Sequence, residues 1–131
     1  MDKKTMHYSE SLEDYLETIF MLGGNHVRSV DIANHLEVSK ASVNRAVNTL
    51  MNNQLVTKEL YGDISLTSKG LETSQKVLQK HKIIKRFLVD ILGVKEAVAN
   101  EEACGIEHNI SDDTADKLEN LVLLNQKKIP D

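Results

Sequence analysis

The sequence predicts a mostly α-helical protein with a small β wing, organised as an N-terminal winged helix-turn-helix followed by a C-terminal helical domain. Two short helical patterns joined by a tight turn occupy residues 29–53. An alternating pattern around Gly62 follows them directly, and helical patterns resume from residue 67. Paired short helices with a turn of about 3–4 residues are typical of a helix-turn-helix. The hairpin behind them makes it a winged helix.

Composition places the chain among ordinary soluble proteins. It has 131 residues, 40% of them hydrophobic and 27% charged, enough for one compact domain or two small lobes. It contains no apolar run of about 18 residues, and the N-terminus lacks the apolar region of a secretory signal. The single cysteine, Cys104, fits a reducing cytosol. We therefore expect a cytoplasmic protein with no membrane partner.

The net charge is −4, but the distribution of charge along the chain indicates better which part could contact nucleic acid. From Val38 to Lys58 the chain carries three basic residues and no acidic residue, whereas residues 81–131 hold seven Lys or Arg and ten Asp or Glu. The middle of the chain can therefore meet phosphate groups. A bound cation would offset part of the acidic excess elsewhere.

The first predicted helix covers about residues 9–22 and has two distinct faces. One face repeats apolar side chains at helical spacing: Leu12, Tyr15, Leu16, Ile19 and Phe20. The opposite face repeats acidic side chains at i, i+3, i+4 and i+7: Glu10, Glu13, Asp14 and Glu17. Such an acidic face is usually solvated, but it can also hold a cation.

The next segments supply the helix-turn-helix and the wing. Ser29 is expected to cap a helix that ends at Leu36, and Ser39 a second helix from Lys40 to about Asn53. The second helix buries a regular apolar stripe of Val43, Ala46, Val47 and Leu50. The segment "LVTKELYGDISLT" predicts a hairpin that turns at Gly62-Asp63.

The rest of the chain is predicted to be helical. A long helix over about 67–92 links the two parts, and shorter helices cover about 95–109 and 112–125. We place the DNA-binding domain at residues 1–70 and a metal-binding and dimerisation domain at 71–131. Four apolar side chains of the last helix are expected to form a two-fold dimer interface: Leu118, Leu121, Val122 and Leu124.

The second helix of a helix-turn-helix points its first turns at base edges in the major groove. Here those turns offer five polar side chains: Ser39, Lys40, Ser42, Asn44 and Arg45. Asn can pair with adenine, and Arg or Lys with guanine or phosphate. Lys58 and Tyr61 of the wing would lie along the neighbouring DNA backbone or the minor groove. A winged helix used only for protein contact is the alternative, and the acid-free basic segment favours DNA.

The stretch "EEACGIEHNI", residues 101–110, is the candidate metal site. If it is helical, Cys104, Glu107 and His108 project from one face. Taken alone, the segment could be a polar surface helix with an inert cysteine. His81, on or beside the apolar stripe of the long helix, could likewise be a core histidine.

These segments together resemble one family, the iron- and manganese-dependent repressors of the diphtheria-toxin-repressor and manganese-transport-regulator type. The resemblance covers about residues 9–125. Five segments carry it: "SLEDYLETIFML", "VRSVDIANHLEVSKASVNRAVNTL", "LTSKG", "KHKIIKRFLVDILGV" and "EEACGIEHNIS". The last segment with its upstream histidine is the more specific part, because helix-turn-helix segments are shared widely.

The resemblance implies a metal site that joins three helices, with six ligands: Asp14, Glu17, His81, Cys104, Glu107 and His108. Asp14 and Glu17 match the manganese branch, whereas Cys104 matches the iron branch. Lys85 and Asn100 stand where the iron type has further ligands. The site is therefore a hybrid of the two branches.

The resemblance also implies the function. We expect a dimeric, metal-dependent transcriptional repressor that binds a palindromic double-stranded operator and controls metal-ion homeostasis. Fe(II) or Mn(II) would be the corepressor, with Fe(II) favoured because a thiolate shifts preference that way, and Zn(II), Co(II) or Ni(II) would bind in vitro. One or two ions per subunit both remain open.

Three other interpretations remain. A winged-helix regulator could sense oxidants through Cys104 without metal, or the metal could be a structural zinc. An enzyme that uses Cys104 and His108 is disfavoured, because the sequence offers no Gly-rich loop or nucleophile elbow.

Overall fold

The computed structural model describes residues 12–128, with side chains described through residue 126. The chain divides into two compact units, the first extending to Gln75 and the second beginning at Lys76. Over the described residues, no helix is both long and apolar enough to cross a membrane.

The first unit is a winged helix-turn-helix, as predicted. Its elements are α1 (Leu12–Met21), α2 (Ser29–Leu36), α3 (Lys40–Asn52), β1 (Val56–Lys58), β2 (Ile64–Leu66) and the start of α4 (Ser68–Arg86). The two strands pair antiparallel, with Thr57 opposite Ser65. The apolar stripes of the three helices and both strands meet in one core, whose fully buried members include Leu16, Ile19, Ile32, Val43 and Ile64.

The two helix starts of the helix-turn-helix differ in how they are capped. Ser39 caps α3 as predicted, since its Oγ accepts a hydrogen bond from the Ser42 N–H at 3.0 Å. The prediction that Ser29 caps α2 is wrong. Ser29 is already helical, and Arg28, in an extended conformation with φ −89° and ψ 142°, takes the cap position without a side-chain bond.

The wing turns one residue earlier than predicted. The backbone N–H of Glu59 donates to the Asp63 carbonyl at 2.7 Å, so the loop is Leu60-Tyr61-Gly62 rather than a turn at Gly62-Asp63. Gly62 has φ +86° and its N–H donates to the Glu59 carbonyl. A three-residue hairpin loop needs a left-handed residue in its last position, and glycine adopts it without strain.

The start of α4 is fixed by a close backbone approach. The Gly70 N–H donates to Thr67 Oγ1 at 3.0 Å, which caps the helix. A Cβ on Gly70 would lie 1.9 Å from the Leu55 carbonyl oxygen, so only glycine fits. In the motif "TSKG", Thr67 therefore caps α4 and Gly70 allows the helix to pack directly against the backbone of Leu55, just before β1.

We predict that Gly70→Ala lowers the free energy of unfolding by about 1–3 kcal/mol or more, because the new methyl group meets backbone that cannot move aside cheaply. Gly105→Ala on α5 (Glu96–Glu107) is the matched control, since a Cβ there meets nothing within 4 Å. The control should be neutral or gain about 0.4–1 kcal/mol. Urea unfolding of both variants measures the difference, and equal stabilities would contradict the account.

The second unit contains the rest of α4, a π-helical turn (Phe87–Ile91), α5 and α6 (Asp112–Lys128). The predicted long helix to about residue 92 is confirmed in extent, because the π-helical turn follows α4 directly and continues it to Ile91 with a different hydrogen-bond pattern. Gly93, with φ +75°, then ends the turn. Ile84, Leu88, Ala99 and Ala103 form the buried centre of this unit.

The apolar residues of α6 face two ways. Val122 is fully buried and therefore unavailable to a partner subunit, and Leu118 is partly buried against the core of its own unit. Leu121 and Leu124 are 44% and 55% exposed, and Leu123 is 44% exposed. Of the predicted dimer face of Leu118, Leu121, Val122 and Leu124, the choice of Val122 is thus wrong, while Leu121 and Leu124 are exposed together with Leu123.

Candidate metal centre and nucleic-acid interface

Three potential metal ligands converge within the second unit. His81 comes from α4, while Cys104 and Glu107 lie three residues apart on α5. One ligand atom from each residue lies within 4.8 Å of the other two. Among the described residues, this is the one group of three or more His, Cys, Asp or Glu side chains with that geometry.

Glu107 lies at the centre of the group. Its side chain is fully buried, with Oε1 2.6 Å from His81 Nδ1 and Oε2 3.4 Å from His108 Nε2. The Cys104 Sγ lies 3.8 Å from the same His81 nitrogen. The two histidines are mostly buried, with side chains 16% and 14% exposed. A carboxylate is therefore held away from water between two imidazoles.

This arrangement fits a divalent cation. Ligand atoms held about 2.0–2.3 Å from one ion lie about 3–4.5 Å from each other. The Cys104 Sγ and His81 Nδ1, at 3.8 Å, fall in this range, whereas His81 Nδ1 and Glu107 Oε1, at 2.6 Å, are at hydrogen-bond distance and would move apart when an ion binds. Imidazole, thiolate and carboxylate are all donors for first-row transition metals. Burying a carboxylate is costly unless opposite charge compensates it, and a cation would supply that charge.

The packing of α5 explains why these side chains meet. Ala99 and Ala103 are both fully buried, and their small side chains face the core that α4 also lines. Cys104 and Glu107 follow on adjacent turns, and His108 ends the helix as its C-terminal cap residue. The prediction of one shared face is therefore met by Cys104 and Glu107, with His108 beside Glu107 at the helix end.

The two remaining predicted ligands belong to the first unit. Asp14 and Glu17 lie one turn apart on α1, and both are partly buried. Glu10, the first member of the acidic stripe, lies outside the described residues.

Asn100 is a residue of the site that sequence reasoning set aside as an unmatched position. Its Oδ1 lies 2.9 Å from His81 Nε2, and it precedes Cys104 by four residues on α5. The i, i+4 spacing from Cys104 was the signal that could have placed it on this face. Lys85, the other unmatched position, pairs instead with Glu96 at 3.2 Å.

The candidate DNA-reading surface is the exposed face of α3. Lys40, Asn44 and Arg45 are exposed, while Val43, Ala46 and Val47 are buried behind them. The partly buried Ser42 receives a hydrogen bond from Arg45 Nη2 at 3.2 Å, and Ser39 Oγ donates to Ser42 Oγ at 3.0 Å. This chain of contacts holds the arginine along the first turns of the helix.

The wing adds a second exposed surface. At its tip, Leu60 and Tyr61 are 88% and 91% exposed, and Lys58 is exposed at the end of β1. Asn48, exposed on α3, was missed by the sequence analysis, although its i+4 and i+3 spacing from Asn44 and Arg45 places it on the same face. Both surfaces carry polar groups suited to phosphate or bases.

Comparison with known proteins identifies the family. The "Iron dependent repressor, N-terminal DNA binding domain" matches residues 7–64, and the "Iron dependent repressor, metal binding and dimerisation domain" matches residues 67–127. The MntR transcriptional regulator of Shouchella clausii is 36% identical over 126 residues, which cover 92% of this chain and 87% of that protein. The chain belongs to the iron-dependent repressor family. It is thus a metal-dependent transcriptional regulator of the DtxR/MntR type.

One further relative and one solved structure are also similar to this chain, and they differ in how much of their own length it covers. An uncharacterised helix-turn-helix regulator of Methanocaldococcus jannaschii is 39% identical over 113 residues, covering 84% of this chain and 90% of that one. The crystal structure of ScaR with bound Zn2+ superimposes with a TM-score of 0.77 at 32% identity, covering 86% of this chain but 54% of ScaR. The chain therefore spans about half the length of that solved relative.

Family membership bears on the other interpretations. Members of the iron-dependent repressor family are transcriptional regulators, which are generally not enzymes. The comparisons lend no support to an oxidant sensor that uses Cys104 without metal. The metal-binding and dimerisation match over residues 67–127 includes His81, Cys104, Glu107 and His108.

Proposed function

We propose that this protein is a metal-activated transcriptional repressor in which Fe(II) or Mn(II) is the corepressor. In the metal-loaded form it binds operator DNA and represses genes for metal uptake and homeostasis. In the metal-free form its affinity for the operator is low. The fully buried Glu107 carboxylate, with His81 and Cys104 close by, is the observation that carries this proposal.

The donor set favours Fe(II) slightly over Mn(II). Carboxylates and imidazoles suit both ions, while the thiol of Cys104 favours the softer one. Zn(II), Co(II) and Ni(II) would bind in vitro because they stand later in the affinity order of divalent metals. ScaR has been crystallised with Zn2+ and is described as a manganese-activated repressor, so metal bound in a crystal does not identify the activating metal.

Asp14 and Glu17 are proposed to complete the ligand set, on the strength of the resemblance in sequence. In the metal-free protein, neighbouring carboxylates on α1 repel each other. A divalent ion bound by these carboxylates would relieve that repulsion. Metal would then shift the population towards the DNA-competent state, and DNA would tighten metal binding equally.

The proposed DNA contacts are made by seven side chains of α3 and the wing: Ser39, Lys40, Ser42, Asn44, Arg45, Lys58 and Tyr61. Two chains would pair through the exposed apolar side chains of α6, Leu121, Leu123 and Leu124. A two-fold dimer presents its recognition helices to half-sites about 34–36 Å apart, so the operator is proposed to be palindromic.

Arg45→Ala is expected to weaken operator binding by about 1–3 kcal/mol if the guanidinium contacts a base. If the guanidinium contacts phosphate, the loss of affinity should be similar for all DNA sequences. The slope of the logarithm of the binding constant against the logarithm of the salt concentration should then fall by about one. Fluorescence anisotropy at several salt concentrations distinguishes the two.

Lys117→Ala is the control for Arg45→Ala, because it removes one positive charge from an exposed pair with Asp113 on α6. Metal affinity should stay unchanged in both variants. A parallel loss of metal affinity in Arg45→Ala, or an equal loss of DNA binding in the control, would overturn the assignment.

Metal binding itself is tested by anaerobic titration of the chelator-treated protein with Fe(II), Mn(II) and Zn(II) against a competing fluorescent chelator. A corepressor site predicts reversible, exchangeable binding of Fe(II) or Mn(II). A structural site predicts zinc that stays bound in the folded protein when chelator is added. Removal of that zinc would unfold the protein. That second result would refute the corepressor role.

A further inference from the structure

The His81 ring lies between two oxygen atoms from α5. Its Nε2 is 2.9 Å from Asn100 Oδ1, and its Nδ1 is 2.6 Å from Glu107 Oε1. The Cys104 Sγ is also nearest to Nδ1, at 3.8 Å. The two other candidate ligands therefore converge on one ring nitrogen, while the amide of Asn100 faces the other.

These contacts make the two nitrogens of His81 inequivalent. A neutral imidazole carries one N–H, and the nitrogen that binds a metal must be the one without it. The Asn100 amide oxygen and the Glu107 carboxylate can each only accept a hydrogen bond, so each favours an N–H on the ring nitrogen that it faces. Glu107 and Cys104 are themselves candidate ligands, so an ion that they bind takes the place of the hydrogen on Nδ1, while Asn100 keeps the hydrogen on Nε2.

We propose that Asn100 is a positioning residue for the metal centre: it fixes the tautomer and the ring orientation of His81 so that Nδ1 coordinates the ion. The inference rests on the proposed function, since it concerns the same site. It assigns Asn100 no direct bond to the metal. Histidine ligands of metals commonly donate their second N–H to an oxygen acceptor, and Asn100 supplies that acceptor here.

Helix α5 then supplies two candidate ligands, Cys104 and Glu107, and also Asn100, which orients the third ligand, His81. Asn100 and Cys104 are four residues apart and Glu107 follows three later, so a single rigid helix presents all three to His81. Asn100 is itself exposed, so its contribution to the buried core is small. Its replacement should therefore affect metal binding far more than folding.

The first test uses the unmodified protein. Cadmium is loaded into protein that carries isotope-labelled histidine, and scalar coupling between the cadmium and the His81 ring nitrogens is measured by NMR. Coupling to Nδ1, with a proton on Nε2, is the expected result. Coupling to Nε2 would overturn the proposal, and a protein that binds no metal at all would overturn the proposed function beneath it.

The second test compares variants of Asn100. Asn100→Leu has a similar size and no acceptor, and it should weaken Mn(II) binding about ten- to a hundredfold, with a mixed coupling pattern at the two nitrogens. Asn100→Asp can only accept, and it should bind Mn(II) at least as tightly as the wild type and keep the Nδ1 coupling.

Asn120→Leu, at an exposed position of α6, is the control and should not change metal affinity. Thermal unfolding in chelator should be alike in all four proteins. If Asn100→Leu binds Mn(II) as tightly as the wild type, the positioning role is refuted while the proposed function stands.

Discussion

Replacing Glu107 with glutamine is expected to abolish metal-dependent DNA binding while the protein remains folded. Glutamine has the same shape, but it lacks the charge that a divalent ion requires at the centre of this site. Loss of an outer-shell partner alone costs about 10–100-fold in metal affinity, so loss of a buried ligand should cost more than about a hundredfold. Competition titration with Mn(II) and Fe(II) measures the affinity.

The burial of Glu107 adds a second expectation for the same variant. The wild-type carboxylate is fully buried beside His81 and His108, and without metal its charge is costly to hold there. Glu107→Gln should therefore be as stable as the wild type in chelator, or more stable, but should gain no stability when metal is added. Metal bound only to the native state raises the wild-type stability by mass action.

Glu101→Gln is the matched control, because it makes the same chemical change at an exposed position of the same helix. It should bind metal and DNA like the wild type. If Glu107→Gln kept both its metal affinity and its metal-dependent DNA binding, this cluster would not be the regulatory site.

Asp14→Asn should uncouple DNA binding from metal. Asp14 is proposed to be a ligand from the DNA-binding unit, so the variant should retain ligands from the second unit but lose the link between metal and DNA affinity. Coupling between two sites is typically about 1–3 kcal/mol, or about 5–150-fold. Operator affinity measured with and without Mn(II) should therefore differ by that factor in the wild type and by little in the variant.

Glu13→Gln controls for the loss of one negative charge at the adjacent residue of α1. It should respond to metal like the wild type. Neither substitution should lower stability much, because the buried side of α1 is formed by Tyr15, Leu16, Thr18 and Ile19. An Asp14→Asn protein that still responded fully to metal would show that the first unit contributes no essential ligand through Asp14.

Much of the fold follows from local patterns in the sequence. The apolar stripe of α3 and the Ser39 cap were predicted correctly, because helical periodicity and capping depend on residues within one or two turns. The errors lie where the local sequence allows two backbone conformations. Either Arg28 or Ser29 could be the N-cap residue of α2, and the wing could turn before or after Gly62.

Longer-range packing decided what local patterns could not. Periodicity placed Val122 on an apolar stripe, but it could not show that this side chain is fully buried while Leu124 remains exposed. Likewise, the spacing of Cys104 and Glu107 brought them to one face, but only the packing of α4 against α5 brings His81 to Glu107 and Asn100 to His81. Contacts between helices distant in sequence have no signature in any short window.

The most direct test of the account is the retention of DNA by the wild-type protein under anaerobic conditions. A pool of genomic fragments from the source organism would be passed over immobilised protein with Fe(II), Mn(II), Zn(II) or chelator. We expect specific fragments to be retained with Fe(II) or Mn(II) and released by chelator. Retention of the same fragments regardless of chelator would contradict it, because DNA binding would then be independent of the site formed by His81, Cys104 and Glu107.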